Sequence, residues 1–383
     1  MKPTKVSPGS SNITRTACPC DPYTAIGSGT AQNVLRIILA AASFFLTYLL
    51  LLLVNSGLYL CAPVPKNPHP CLRGMFSNDP VIGYVLTPNW TGVFDDGFLW
   101  ADIAINSFGH RDNEVADRAP DWLLLGDSFT FGAYVRSEET IDRQIEEYSN
   151  GEINAYNTGV GGYGLPAEIE TFLRCTWFRG KAVFYMFYVN DLADNNLSLR
   201  EYGVHDGYLV KRTQQDGTEY TVQELEEKIQ LALAPEKKRT TTFRAIVGLY
   251  YLRLNIAKRL GLDSNSYSFA QYTEENGYRK ENIRKAVQYT RQLAEFVQTR
   301  GMTFHIVILP SLEEVAIGDH CSPSAAYIQA IQQDALAPIL DLLPELEKGD
   351  YLERDVHLNR RGTEKVARRM LNEWMEYSSR NGA

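Results

Sequence analysis

The longest unbroken apolar pattern in the chain runs from Ile37 to Val54, IILAAASFFLTYLLLLLV, and no charged side chain occurs between Arg36 and Lys66. Roughly 20 apolar residues, each rising about 1.5 Å, cross the hydrocarbon core of a bilayer. The pattern is apolar all round the helix rather than on one stripe, which predicts a transmembrane helix over 34–58 and not an amphipathic core helix. A second pattern begins after Pro120: short apolar runs, each closed by a Gly- or Asn-rich turn, alternating with segments of helical spacing. Trp122 to Leu125 is followed by Gly126-Asp127-Ser128, and Ile153 to Tyr156 by the turn 157–164. Ala182 to Val189, AVFYMFYV, ends at Asn190-Asp191, and Phe304 to Leu309, FHIVIL, ends at Pro310. Between them Ile141, Ile145 and Tyr148, then Ile169, Phe172 and Leu173, then Ile283 to Val297 recur at helical spacing, and a last helix is expected beyond Gly362 with Val366, Met370, Trp374 and Tyr377 on one stripe.

Fully apolar strands that alternate with amphipathic helices are strands buried on both faces. They predict an α/β fold, a three-layer α/β/α domain around a central, mostly parallel sheet of the flavodoxin-like kind, preceded by one transmembrane helix. The expected organisation is a disordered cytoplasmic tail over 1–33, the membrane helix over 34–58 and a proline-rich stalk over 59–78. A lead-in of short strands follows over 79–119, then the main α/β domain over 120–383. Residues 195–280 break the strand–helix rhythm and read as a structured insertion or lid, because connections in such sheets are usually short.

Charge sets the expected orientation. Lys2, Lys5, Arg15 and Arg36 precede the apolar helix against Asp21 alone, whereas the segment just after it is nearly balanced. The more positive flank stays in the cytoplasm, which puts everything after about residue 57 outside. No small-x-small site follows the helix, and Leu60 is too large for lipid attachment at Cys61, so the helix reads as a retained anchor. Overall, 38 Lys+Arg against 46 Asp+Glu give a net charge of −8. Without a basic run, nucleic acid is not an expected partner. Six cysteines are too few for a disulfide framework. Cys61 and Cys71 are placed to pair outside the membrane, and Cys175 and Cys321 read as buried thiols.

Several polar residues stand where apolar strands end. Ser128 follows a buried strand through a tight Gly-Asp turn, at the sheet edge where open α/β sheets bind ligands. Gly159, Gly161, Gly162 and Gly164 form a turn whose backbone N–H groups can face a ligand, and the Asn190 amide can donate to an oxyanion. Near the chain end, Asp355 and His357 in RDVHLN offer a carboxylate and an imidazole. A neutral imidazole can take a serine proton while the carboxylate fixes its tautomer.

In that order, GDS at 126–128, GGYG at 161–164, ND at 190–191 and DVH at 355–357 resemble the SGNH (GDSL-like) hydrolase superfamily. The likeness is narrower to membrane-anchored or exported members linked to exopolysaccharide O-acylation or deacylation. NSFGHRD at 106–112 resembles the lead-in motif of that group. The resemblance covers about 79–194 and 281–378, and the insertion falls outside it. It implies Ser128 as nucleophile, His357 as base and Asp355 as its partner. The oxyanion hole would be Ser128 N–H, Gly162 N–H and the Asn190 side chain. Asp127, Phe129, Tyr163, Tyr188 and Asp191 would line the pocket. Two departures stand out: Tyr188 replaces the glycine of GxND, and Arg354 occupies the usual aspartate position of DxxH, leaving Asp355 two before the histidine.

The triad residues imply serine-dependent hydrolysis of an acyl ester with no metal and no organic cofactor, and the family resemblance implies a small acyl group, O-acetyl on a carbohydrate before others. Acyl transfer to a polysaccharide would use the same triad. A noncatalytic envelope or polysaccharide-binding protein that keeps the fold is the alternative from another class. The expected partners are an acylated carbohydrate or other small acyl ester, and the membrane through one helix.

Overall fold

The computed structural model describes residues 27–61, 72–95, 99–115, 119–194, 201–214, 217–233, 268–353 and 355–381, with positions 252 and 256 between them. Of the disordered tail expected over 1–33, positions 1–26 lie outside the described residues and 27–33 are helix instead; the Cys71 thiol, most of 234–267 and Arg354 also lie outside them. The chain divides into two units. One contains helix α1, Gly27–Cys61, within which Gln32–Gly57 is long and apolar enough to cross a membrane. Its outward side chains are apolar and exposed, Phe44 and Leu53 among them. Asn55 is buried within this unit and accepts the Leu252 N–H at 2.9 Å.

The other unit carries the rest. Its lead-in consists of two antiparallel hairpins, β1 (Phe76–Asp79) with β2 (Gly83–Leu86) and β3 (Thr91–Asp95) with β4 (Trp100–Ala104). The strands thus begin at Phe76, inside the stretch that proline content had assigned to a stalk. The prolines end at Pro70, and Met75 already packs into the lead-in core.

The central sheet has five parallel strands: β5 (Trp122–Gly126), β6 (Ala155–Asn157), β7 (Ala182–Tyr188), β10 (Thr303–Leu309) and β11 (Ile339–Asp341). Their spatial order is β11-β10-β7-β5-β6. The chain lays β6 on one side of β5 and then crosses to place β7 on the other. That reversal makes the carboxyl edge between β5 and β7 a topological switch point, where such sheets open a crevice.

Helices α3 (Ile141–Tyr148) and α10 (Arg360–Asn381) pack together as one layer, and α4 (Leu165–Arg174), α7 (Lys280–Thr299) and α9 (Ser322–Asp334) form another. The three-layer α/β/α architecture predicted from the buried strands is therefore present. Strand β7 explains the layering residue by residue, since side chains alternate faces along a strand. Phe184 packs with Trp122 and Trp374 on the α10 side, whereas Phe187 stacks on Tyr327 of α9 with centroids 4.3 Å apart. His305, in register with Phe184, stacks on it at 4.8 Å. Burial lowers the pKa of the His305 imidazole to about 4, so it is a neutral core residue.

The last helix starts at Arg360, slightly before the expected Gly362. The insertion supplies a hairpin, β8 (Tyr202–His205) with β9 (Tyr208–Lys211), and helix α6 (Val222–Leu233). The hairpin docks on the lead-in. Asn78 bridges to Val204 through both side-chain atoms, at 2.9 and 2.7 Å, and Gly74 N–H donates to Gly207 O at 2.7 Å. The apolar helix expected over 245–257 lies outside the described residues except for positions 252 and 256.

Candidate active site

Ser128 is half-buried and opens the one-turn helix α2, Ser128–Phe131, directly after β5. The preceding Asp127 is wholly buried, and its Oδ1 accepts the Phe129 N–H at 2.8 Å, an N-cap that fixes the turn. The Gly-rich turn after β6 passes close beneath this helix. A β-carbon at Gly159 would lie 2.3 Å from Phe131 N, so only glycine fits there. Gly162 has φ +79°, in the left-handed region that glycine adopts without strain. A β-carbon at Gly161 would stand 3.7 Å from Ser128 Cβ, which places this turn beside Ser128. The backbone N–H groups of Ser128 and Gly162 make no hydrogen bond among the described residues.

From the far end of the chain, the loop before α10 brings in His357. His357 Nε2 lies 2.7 Å from Ser128 Oγ, across 229 residues of sequence. Asp355 Oδ1 accepts from His357 Nδ1 in a close ion pair and also from the His357 backbone N–H at 3.0 Å. Burial alone would raise the Asp355 carboxyl. The hydrogen bond and charge of His357 and two backbone N–H groups outweigh it, and its pKa lies below the ordinary value. The loop is rigidly held: Tyr351 OH donates to Pro310 O at 2.6 Å, and the Asn359 amide donates to Gly349 O at 2.9 Å and Tyr351 O at 3.0 Å. The DxH spacing therefore reaches the geometry of a triad, the His backbone N–H closing a local turn onto the same carboxylate that orients its ring.

Asn190 stands at the end of β7, across the switch point from Ser128. Its Nδ2 donates to Asp127 Oδ2 at 2.9 Å and to Asp194 Oδ2 at 3.0 Å, so both of its N–H bonds are engaged. Asp194 closes the short helix α5, Asp191–Asp194. Asp127, Asp191, Asp194 and Glu168 feel one another's charge below the oxyanion region. Burial raises all four carboxyls above their ordinary values, and Asp194 reaches about 7, with the Asp127 charge as the next cause. Glu168 is fully buried, and neither carboxyl oxygen has a hydrogen-bond partner among the described residues.

The remaining pocket candidates divide. Phe129 and Tyr188 stack with centroids 3.9 Å apart, and Phe129 also lies against the His357 ring at 4.6 Å. The aromatic that replaces glycine in the third motif thus stands behind Phe129, which packs against His357. Asp191 is buried and serves the backbone, accepting from Tyr188 N at 3.2 Å and Tyr185 OH at 2.8 Å. Tyr163 turns into the lead-in, where its OH donates to Tyr84 O at 2.6 Å. His110 and Arg111 do not reach the triad. His110 Nδ1 pairs with Tyr156 OH at 3.1 Å, and the Arg111 guanidinium donates to the carbonyls of Asp102, Phe131, Gly132 and Val135.

Tyr84, Tyr134 and Asp194 are site residues that sequence reasoning missed. Tyr134 has φ +68° and sets its ring edge against His357 at 5.2 Å, backed by Phe94 of β3 at 4.5 Å. Asp194 alone carried a readable signal, an acid one helical turn after Asn190. Beside Asp355 a cleft of about 760 Å³ opens, lined by Gln271, Glu313, Lys348, Glu353, Val356 and Asn359 among others. Among the described residues no group of His, Cys, Asp and Glu is arranged to hold a metal ion.

No family model matches the sequence, and no curated protein matches it. Among solved structures, the chain is similar to a lipolytic protein of the G-D-S-L family from Desulfitobacterium hafniense, with 10% identity, 65% of this chain and 98% of that one covered, and a TM-score of 0.34. It is similar to a psychrotrophic esterase from Pseudoalteromonas, with 10% identity, 67% and 98% covered, and a TM-score of 0.37. An acetylxylan esterase from Geobacillus stearothermophilus gives 12% identity, 66% and 92% covered, and a TM-score of 0.33. These likenesses are loose, and the reading of the site rests on the chain's own sheet, motifs and distances.

Proposed function

We propose that the chain is an SGNH-type serine esterase that cleaves a small acyl ester, O-acetyl on a carbohydrate before others. The observation that carries this reading is the Ser128 Oγ to His357 Nε2 distance of 2.7 Å, with Asp355 on the other ring nitrogen. Ser128 Oγ attacks the ester carbonyl carbon and its proton passes to His357 Nε2. Asp355 stabilises the imidazolium and keeps the ring in the tautomer that presents Nε2. The oxyanion receives the N–H groups of Ser128 and Gly162, and that of Asn190 once Asp194 gives it up. Collapse breaks the bond to the alcohol oxygen, which takes the proton from His357. Water then attacks the acyl-serine with His357 as base, releasing acid and restoring Ser128.

The cleft beside Asp355 offers room for the sugar that bears the acyl group, and its lining of amides, carboxylates and a lysine suits hydroxyl groups. Its volume exceeds the needs of a single sugar, and this favours a second reading: a sugar hydroxyl replaces water and the protein transfers the acyl group. Helix α1 would hold the domain at the membrane, outside the cytoplasm.

The test of catalysis uses an activated acetyl ester and a fluorophosphonate probe on the full chain. Labelling and hydrolysis that vanish in Ser128→Ala support the esterase. A folded wild-type protein that neither labels nor hydrolyses points instead to a noncatalytic, glycan-binding role. Transfer is separated by supplying an acyl donor with and without polysaccharide: acyl groups must appear on the glycan, and only with Ser128 present. Protease applied from outside should digest the catalytic domain and spare the first thirty or so residues.

A further inference from the structure

The Gly162 N–H is useful to an oxyanion only if its peptide plane is held at one angle, and the turn that carries it is built from glycines. The structure places one side chain on that plane. Tyr84, in β2 of the lead-in, donates its OH to Gly161 O at 2.8 Å. Gly161 C=O and Gly162 N–H belong to the same peptide unit, and in a trans peptide they point in opposite directions. Fixing the carbonyl toward Tyr84 therefore turns the N–H away from it. A β-carbon at Gly162 would lie 2.9 Å from Tyr84 Oη, whereas one at Gly161 would face Ser128 Cβ. The phenol and the nucleophile thus flank the same two-glycine turn.

Tyr84 cannot drift from this position. Tyr163 OH donates back to Tyr84 O at 2.6 Å, and the Tyr84 ring meets Tyr163, Phe76 and Tyr202 edge-on at 5.3, 5.6 and 6.5 Å. Those contacts come from the Gly-rich turn, the lead-in and the insertion hairpin. Burial, with the nearby Asp194 charge, pushes the phenol pKa well up, so it stays a donor throughout the working range of an esterase. A hydrogen bond on the carbonyl also polarises the peptide and strengthens its N–H as a donor.

We propose that Tyr84 is a positioning residue of the oxyanion site, holding the Gly161–Gly162 peptide so that its N–H faces the acyl oxygen. The proposal rests on the esterase reading above. It assigns the lead-in hairpin a part in catalysis through the backbone of the glycine turn.

The experiment compares the full-length wild type with Tyr84→Phe and with a protein carrying 3-fluorotyrosine at position 84, which keeps the ring and the donor. Removing a whole oxyanion donor costs about 100- to 1000-fold in kcat, so loosening one should cost about 10- to 100-fold. The expected result for Tyr84→Phe is that loss in kcat, a KM within about twofold of wild type, and an equal fall in the fluorophosphonate inactivation rate. The 3-fluorotyrosine protein should keep kcat within about twofold of wild type. The proposal is overturned if kcat in Tyr84→Phe stays within about twofold, or if the loss appears in KM or recurs in the 3-fluorotyrosine protein. Wild-type protein inert to both ester and probe overturns the esterase reading, and the role of Tyr84 with it.

Discussion

Asp194→Asn should make the protein more stable, and by an amount that depends on pH. The Asp194 carboxyl accepts one Asn190 N–H at 3.0 Å and lies within the field of Asp127. Burial and that charge raise its pKa from the ordinary 3.8 to about 7. A carboxyl with a raised pKa binds its proton more tightly in the folded state. Its contribution to stability is fully present below the unfolded pKa and is lost as pH rises through the folded value. A tenfold gain in proton affinity is worth about 1.4 kcal/mol, so the rise to about 7 amounts to about 4 kcal/mol in all. Between pH 5 and 8 the share is about 2–3 kcal/mol, and water at the partly exposed carboxyl lowers it further. Asp191 remains in both proteins, and losing the Asp194 charge also eases the ionisation of Glu168, which acts in the same direction. Urea unfolding of the full chain, followed by tryptophan fluorescence at pH 5 and pH 8, gives the two differences. The stability advantage of Asp194→Asn should grow by about 2 kcal/mol from the lower to the higher pH. An advantage that is the same at both pH values would refute the account of a buried carboxyl of raised pKa beneath Asn190.

Asp355→Asn should lower kcat by about 100- to 10,000-fold with little change in KM, because the wrong His357 tautomer would then face Ser128; steady-state kinetics checks this. Since Asp355 is held below its ordinary pKa, the acidic limb of the wild-type rate profile should follow one group, and Asp355 ionisation should leave no second inflection above about pH 4. Arg111→Lys should destabilise the protein by about 2–4 kcal/mol in urea unfolding, because an ammonium cannot span the four carbonyls that the buried guanidinium satisfies. Trp122→Ala should cost about 3–5 kcal/mol by the same assay, since the side chain is fully buried between Phe184 and Trp374.

The sheet, and the meeting of Ser128, His357 and Asp355 at its edge, were legible because each is written in a local signal. WLLLG, AVFYMFY and TFHIVIL are buried along nearly their whole length, and only a strand covered on both faces sustains that pattern. Ser128, Asn190 and His357 are polar residues at the ends of such elements, where burial in a core would be costly. The lead-in gave much weaker signals. Its strands are four or five residues long, with mixed burial, and proline content blurred their start. Asn106 illustrates what the motif NSFGHRD encodes. Its Oδ1 accepts the N–H groups of Phe108 and His110, and its amide reaches Tyr156 OH, so the motif is a folded turn pinned to β6. Arg111 carries that turn to the carbonyls just after the nucleophile helix. A sequence pattern gives the residue types of this network but not their reach, since its long-range partners, from Phe131 O to Tyr156 OH, lie 20 to 50 positions away.

The same distance argument explains why Tyr84 and Tyr134 escaped notice. Each is an aromatic in a short apolar stretch, and nothing local separates such a residue from ordinary core. What gives them a role is that the switch point of a parallel sheet brings together chain ends that are far apart in sequence. Ser128 comes from β5, Gly162 from the turn after β6, Asn190 from β7 and His357 from the loop before α10. These supports rest partly on distant contacts: four of the eight residues of the turn 157–164 are glycine, and the histidine loop is braced by Tyr351 against Pro310. The lead-in supplies the missing contacts from outside the sheet. Tyr84 holds the glycine turn through Gly161 O, Phe94 backs Tyr134 against His357, and Arg111 ties down the chain after Ser128. A minimal domain cut at Pro120 would keep every residue of the triad and every strand of the sheet. It should nonetheless lose most of its activity, because three of the four groups around the acyl carbon would no longer be held at fixed angles. Adding back residues 72–119 in the same chain should restore the rate, and a truncated domain as active as the full chain would overturn this view of the lead-in.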